Sequence, residues 1–138
     1  MKNILLLITF FSLCFNLKAQ NSSAISKNFT GKLIGHFSDA PKCDEEAYAS
    51  VMEFEIIEFN DLNYTKKLIG VFIPCPNEYG KDFFKVGKTY KMEVHAENQY
   101  DLGLFYHIFN EKRIKRKFDT KIKYWAGQDT VECIKVGS

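Results

Sequence analysis

The sequence has few of the residues that punctuate or stiffen a chain. Its 138 residues include 3 Pro, 8 Gly and 1 Trp. That scarcity excludes a collagen-like or proline-rich chain. Net charge is also small, a formal +2, which excludes a highly charged disordered tail. No apolar run reaches the ~20 residues that a membrane-spanning helix needs. HExxH, CxxC and GxSxG are all absent, so the usual metalloprotease, zinc-ribbon and serine-hydrolase signatures are missing. Gly87-Lys88-Thr89 matches the end of a phosphate-binding loop, but the glycine required five residues before Gly87 is Asp82. What the chain does have is a core: 46% hydrophobic residues, with 13 Phe and 7 Tyr. At this length that means one domain.

Residues 1–19 have the form of a signal peptide. Lys2 supplies a basic start, residues 4–15 an apolar stretch, and Ala19 a small residue before Gln20. The expected organisation is a signal at 1–19, a polar flexible leader at 20–27 and a single β domain at 28–138. Cleavage removes Lys2 and Lys18 and no acid, leaving 17 basic and 17 acidic residues. A neutral exported chain, periplasmic or secreted, gives no electrostatic reason to expect a nucleic-acid partner. After cleavage no transmembrane segment is expected. Three sequons, at Asn21, Asn28 and Asn63, matter only in a eukaryotic secretory route.

Two segments of the remainder show period-two patterning, and two others, 28–37 with two glycines and 68–75 apolar on both faces, are short apolar runs. Strands are expected at 28–37, 51–59, 68–75, 89–96 and 102–109, arranged as a three-strand meander, a connection and a hairpin of the last two. In the second, Met52, Phe54 and Ile56 alternate with Glu53 and Glu55, and then the phase slips at Ile57. One extra residue is the mark of a β-bulge, which bends a strand and helps close a small barrel. In the fourth, Tyr90, Met92 and Val94 oppose Lys91, Glu93 and His95. Residues 76–88 carry Pro76, Gly80 and Gly87, so a helix there must be short. Residues 111–118 read as a short helix or hairpin, followed by one or two terminal strands. The expected fold is mainly β: a small OB-like five-stranded barrel with a C-terminal extension, the alternative being another small β-sandwich or β-barrel.

Export makes disulfides possible. Of the three cysteines beyond the signal, Cys43 and Cys75 are the first pair: pairing of strands two and three sets Cys75 opposite about Val51, close to the loop that holds Cys43. Cys43–Cys133 is the second choice. Either way one thiol is left over, Cys133 under the first choice, and it is read as buried. His36, His95 and His107 fall on separate strands, with no spacing that suggests a metal site. No cofactor is expected.

Charge is sorted along the chain. Residues 43–61 hold seven acids and no base, a net −7, whereas residues 111–123 net +5. The basic stretch is the candidate partner surface: Lys112, Arg113, Lys115, Arg116, Lys117 and Phe118, with Tyr124 and Trp125 beside them. Opposite fields of this kind steer association.

The stretch from Phe83 through Lys88-Thr89-Tyr90 to Val94 resembles the lead-in to the fourth strand of secreted OB domains, such as the netrin module and the tissue inhibitors of metalloproteases. The resemblance implies a secreted five-stranded barrel with cysteines near strand ends. Those inhibitors chelate a protease metal with a cysteine at the mature N-terminus. Here that end is Gln20 and the first cysteine after it is Cys43, so no functional residue carries over. The expected function is non-catalytic binding of a protein or an extracellular glycan. The alternatives are inhibition of a secreted enzyme, or a small enzyme with no recognisable motif.

Overall fold

The computed structural model describes residues 25–36, 41–44, 46–97, 105–112 and 123–135. The expected signal at 1–19 lies outside them. Seven strands form: β1 Lys27–Gly35, β2 Tyr48–Phe59, β3 Leu68–Pro74, β4 Thr89–Ala96, β5 His107–Phe109, β6 Tyr124–Ala126 and β7 Glu132–Ile134. Hydrogen bonding runs β1-β2-β3-β6-β4, and β4 returns to β1. Five strands thus close a barrel, with β5 and β7 attached outside the circuit. Within it β3 and β6 are parallel and the other neighbours antiparallel.

The bulge read from the sequence is present. Thr30 pairs with Glu58 and Gly31 with Ile56, so Ile57 has no partner on β1. Its side chain turns outward, while Ile56 and Phe59 pack on the core. A second irregularity leaves Ile34 unmatched between Leu33 and Gly35. Both increase local twist, which a small barrel needs in order to close. At Gly31 an added Cβ would run into the Phe29 ring and lie 3.0 Å from the Phe54 Cβ. A residue without a side chain therefore lets β1 cross tightly between β2 and β4.

The interior holds Phe29, Leu33, Met52, Phe54, Ile69, Val71, Tyr90, Met92, Val94 and Tyr124, all buried. Alternation on β4 places Tyr90, Met92 and Val94 inward, as expected. The barrel's outside is also covered in one place. Ala49, Val51, Phe72 and Trp125 form a second cluster, with Tyr106 and Ile108 packed against it.

That covering corrects the expected fifth strand. Of that segment residues 105–109 are described, and they do not pair with β4. Instead β5 lies parallel to β2, from Tyr48↔His107 to Ser50↔Phe109. The side chain of Asn110 extends this pairing: Val51 N–H donates to Oδ1 at 3.0 Å and Nδ2 donates to Val51 C=O at 3.2 Å. The barrel's fifth strand is β6, three residues that pair with both β3 and β4. The two terminal strands, β6 and β7, agree with the sequence reading. So does the shortness of the helix after β3, a 3-10 helix over Pro76–Tyr79.

Candidate functional site

The two ends of the barrel are built differently. One lies at the β2–β3 turn. There Asp61, 8% exposed, accepts the Tyr124 hydroxyl at 3.0 Å and the Asn63 N–H at 3.0 Å. Tyr64 donates to the Leu68 carbonyl at 2.6 Å. The rings of Phe59, Tyr64 and Tyr124 meet edge to face at 5.2–5.7 Å. Burial pushes the Tyr64 hydroxyl up to about 12. Burial, and then the Asp61 carboxylate, raise Tyr124 further. Every polar group in this cluster has a partner within the fold. Leu62, 93% exposed, stands at the tip of the turn.

The other end carries the disulfide. Cys43 and Cys75 are bonded, with Cα atoms 5.7 Å apart, a normal spacing for such a bridge. Cys75 lies opposite Tyr48 rather than Val51: Pro74 pairs with Ala49, and Cys75 N–H donates to the Tyr48 carbonyl at 2.8 Å. The expected pairing thus forms on a register that differs from the expected one. Tyr48 N–H donates to the Cys43 Sγ at 3.2 Å, and Asn77 Nδ2 to the Pro41 carbonyl at 2.9 Å. These contacts tie the loop ahead of β2 to the 3-10 helix after β3. Glu78 lies near the two sulfurs. Sulfurs bonded to each other are not thiolate ligands, so the oxidised trio is not a metal centre.

Beneath this end Tyr79, Phe83, Phe84 and Tyr90 stack together at 4.9–5.7 Å. Tyr90 hydroxyl donates to the Phe83 carbonyl and accepts the Lys85 N–H, both at 2.7 Å. This aromatic plug closes the barrel mouth and supports a cleft above it. The cleft has a volume of about 70 Å³, with walls that include Glu78, Tyr79, Tyr106, Gln128 and Asp129. Glu78 and Asp129 are exposed at the rim, and among the described residues no cation pairs with either. Burial, and then the Asp129 charge, raise the Tyr79 hydroxyl above its ordinary value, with smaller contributions from Glu78 and Tyr106. Asp129 is held at φ 59°, in the left-handed region.

An exposed polar cluster borders the cleft. Tyr48 hydroxyl donates to Glu46 Oε2 at 2.9 Å, and His107 Nε2 lies 3.6 Å from the same oxygen. The hydrogen bond to Glu46 raises the Tyr48 hydroxyl. Phe105 is 73% exposed beside Tyr106.

The sequence-predicted basic surface is only partly placed. Lys112 is exposed, while Arg113, Lys115, Arg116, Lys117 and Phe118 lie outside the described residues. Tyr124 and Trp125 are buried, at 1% and 0% exposure. Tyr124 reaches into the barrel toward Asp61, and Trp125 stacks on Phe72 under Tyr106. Neither ring is available to a partner, because β6 is a strand of the barrel with its two faces covered by different clusters. Lys123 is engaged as well, 3.3 Å from Glu97, 3.2 Å from Glu111 and over the Phe72 ring. Cys133, expected to be buried, is exposed on β7 opposite Tyr90. That strand has one neighbour and leaves the thiol at the edge. The residues that build the cleft come from three separate segments. The only sequence signals for them were tyrosines and acids in turn regions.

In comparisons with known proteins, no family model, no curated protein and no solved structure matches this chain.

Proposed function

We propose that this chain is an exported, non-catalytic binding protein built on an OB-type barrel, with its ligand surface at the disulfide end. The observation that carries the reading is the open cleft with Tyr79 and Tyr106 in its walls, flanked by exposed Phe105 and His107. Aromatic residues grouped around a small depression are typical of binding centres. At about 70 Å³ the cleft is several times smaller than the ~300–1,000 Å³ of a small-molecule pocket. It suits one protruding group of a larger ligand better than an enclosed substrate.

Two features support the OB reading. The circuit β1-β2-β3-β6-β4-β1 is a meander followed by a crossing, and a five-stranded Greek-key barrel is the OB architecture. OB domains bind with the face of strands two and three and with the loops after their first and fourth strands. Here the loop after β1 brings Cys43 and Glu46, and the connection after β4 brings Phe105, Tyr106 and His107. Both segments converge on the disulfide end. The disulfide itself supports export, because such bonds persist outside the reducing cytosol.

A second reading, inhibition of a secreted enzyme, is favoured by Leu62 on its rigid turn. A large exposed side chain on a braced, convex loop is the shape that enters an enzyme cleft.

The test is affinity capture from extracellular protein fractions and glycan arrays with oxidised residues 20–138. The captured ligand is then rebound to the Phe105→Ser/His107→Ser variant, whose two sites are exposed and tolerate change. Loss of at least ~10-fold in affinity supports the assignment. Full affinity in that variant, with loss in Leu62→Ser, transfers function to the turn end.

A further inference from the structure

We infer that the cleft at the disulfide end receives a basic side chain, arginine above lysine, presented by a protein partner. This rests on the proposed binding function and narrows its ligand to a protein with an exposed cation. The walls supply what such a group needs. Glu78 and Asp129 bring two carboxylates from different segments, the 3-10 helix and the turn after β6. Tyr79 and Tyr106 bring two aromatic rings to the same cleft. A guanidinium satisfies both: its planar fork bonds carboxylates and its face stacks on rings. The volume, about 70 Å³, is of the order of one side-chain head group.

Charge complementarity selects this occupant over an anionic or neutral one. The segments at this end carry four acids, Asp44, Glu46, Glu78 and Asp129, against one exposed lysine beside the bridge, Lys42. Glu46 already engages Tyr48 and His107. Glu78 and Asp129 have no such partner among the described residues. Two exposed carboxylates with no cation paired to them among the described residues make the potential at the rim negative, and the Asp129 charge adds to burial in raising the Tyr79 hydroxyl. An acidic glycan or a phosphate would meet that potential as repulsion. A lysine would feel the same attraction but lacks the planar fork, so it binds more weakly.

The test is an amide-resolved NMR titration of oxidised residues 20–138 with Nα-acetyl-arginine amide, run beside its neutral isostere Nα-acetyl-citrulline amide. The expected result is saturable shifts at residues 75–79, 106 and 127–130. Citrulline should bind at least ~10-fold more weakly, because it lacks the charge. The double variant Glu78→Gln/Asp129→Asn should erase that preference. Asparagine is well suited to the left-handed backbone at position 129, so the variant keeps the cleft's shape. Absence of a saturable shift, or equal affinity for the two probes, overturns the inference. If the arginine probe fails while a captured ligand still requires Phe105 and His107, the ligand is a glycan or an uncharged protein epitope and the binding function stands. If the captured ligand is indifferent to Phe105 and His107, the binding surface itself has been misplaced, whatever the probe does.

Discussion

The barrel's two ends use the same residue types for opposite purposes. At the β2–β3 turn, an acid and two tyrosines are buried or half-buried and hydrogen-bonded within the fold. At the disulfide end, acids and tyrosines stand around a cleft, with the carboxylates of Glu78 and Asp129 facing solvent. A buried carboxylate without partners is costly, so Asp61 has to be satisfied internally. The exposed carboxylates of Glu78 and Asp129 are solvated by water and need no internal partner, while covalent closure and the aromatic packing hold this end in shape. Stability and recognition are thus assigned to different ends of one small barrel.

The largest test of this division removes the covalent closure. Cys43→Ser/Cys75→Ser should lower stability by about 3–4 kcal/mol in the chain-entropy model for the 32-residue separation. Thermal or urea unfolding reads that directly, and a loss below ~1 kcal/mol would mean that the plug alone holds this end. Next is Asp61→Ala, which strands the Tyr124 hydroxyl and the Asn63 N–H. About 1–3 kcal/mol should be lost. Conversion of Asp129 to Asn should stay within about 0.5 kcal/mol, as for an exposed site without partners. Similar costs at the two positions would abolish the distinction.

A smaller effect is expected from pH. Tyr64 and Tyr124 both hold their protons more tightly in the folded chain than the ordinary value of 10.0. The unfolded chain therefore loses these protons first as pH rises. Their contribution is complete below pH 10 and declines above it, through about 12 for Tyr64. Tyr124→Phe should flatten the alkaline limb of the stability profile. An unchanged limb would place the sensitivity elsewhere.

The sequence made some of this legible. Alternation identified β2 and β4, because one face of each must meet the core, whereas β1 and β3 were read from short apolar runs. The phase slip at Ile57 announced the bulge, since a one-residue insertion moves every later side chain to the other face. The Cys43–Cys75 bridge followed from a hairpin even though the register is three residues from the one expected. Periodicity says nothing about partner or direction, so the segment ending at Phe109 was read as a β4 partner when it lies parallel on β2. The three residues Tyr124–Ala126 are too short to show a period, and their aromatic rings beside a basic run suggested a surface. The cleft was not legible, because Glu78, Tyr106 and Asp129 meet only through the fold.

The most direct test is amide hydrogen exchange on the oxidised chain with and without its captured ligand. Protection should appear at residues 75–79, 105–107 and 127–130, with the turn at 60–64 unchanged. Protection confined to 60–64 would contradict the account and make Leu62 the point of contact.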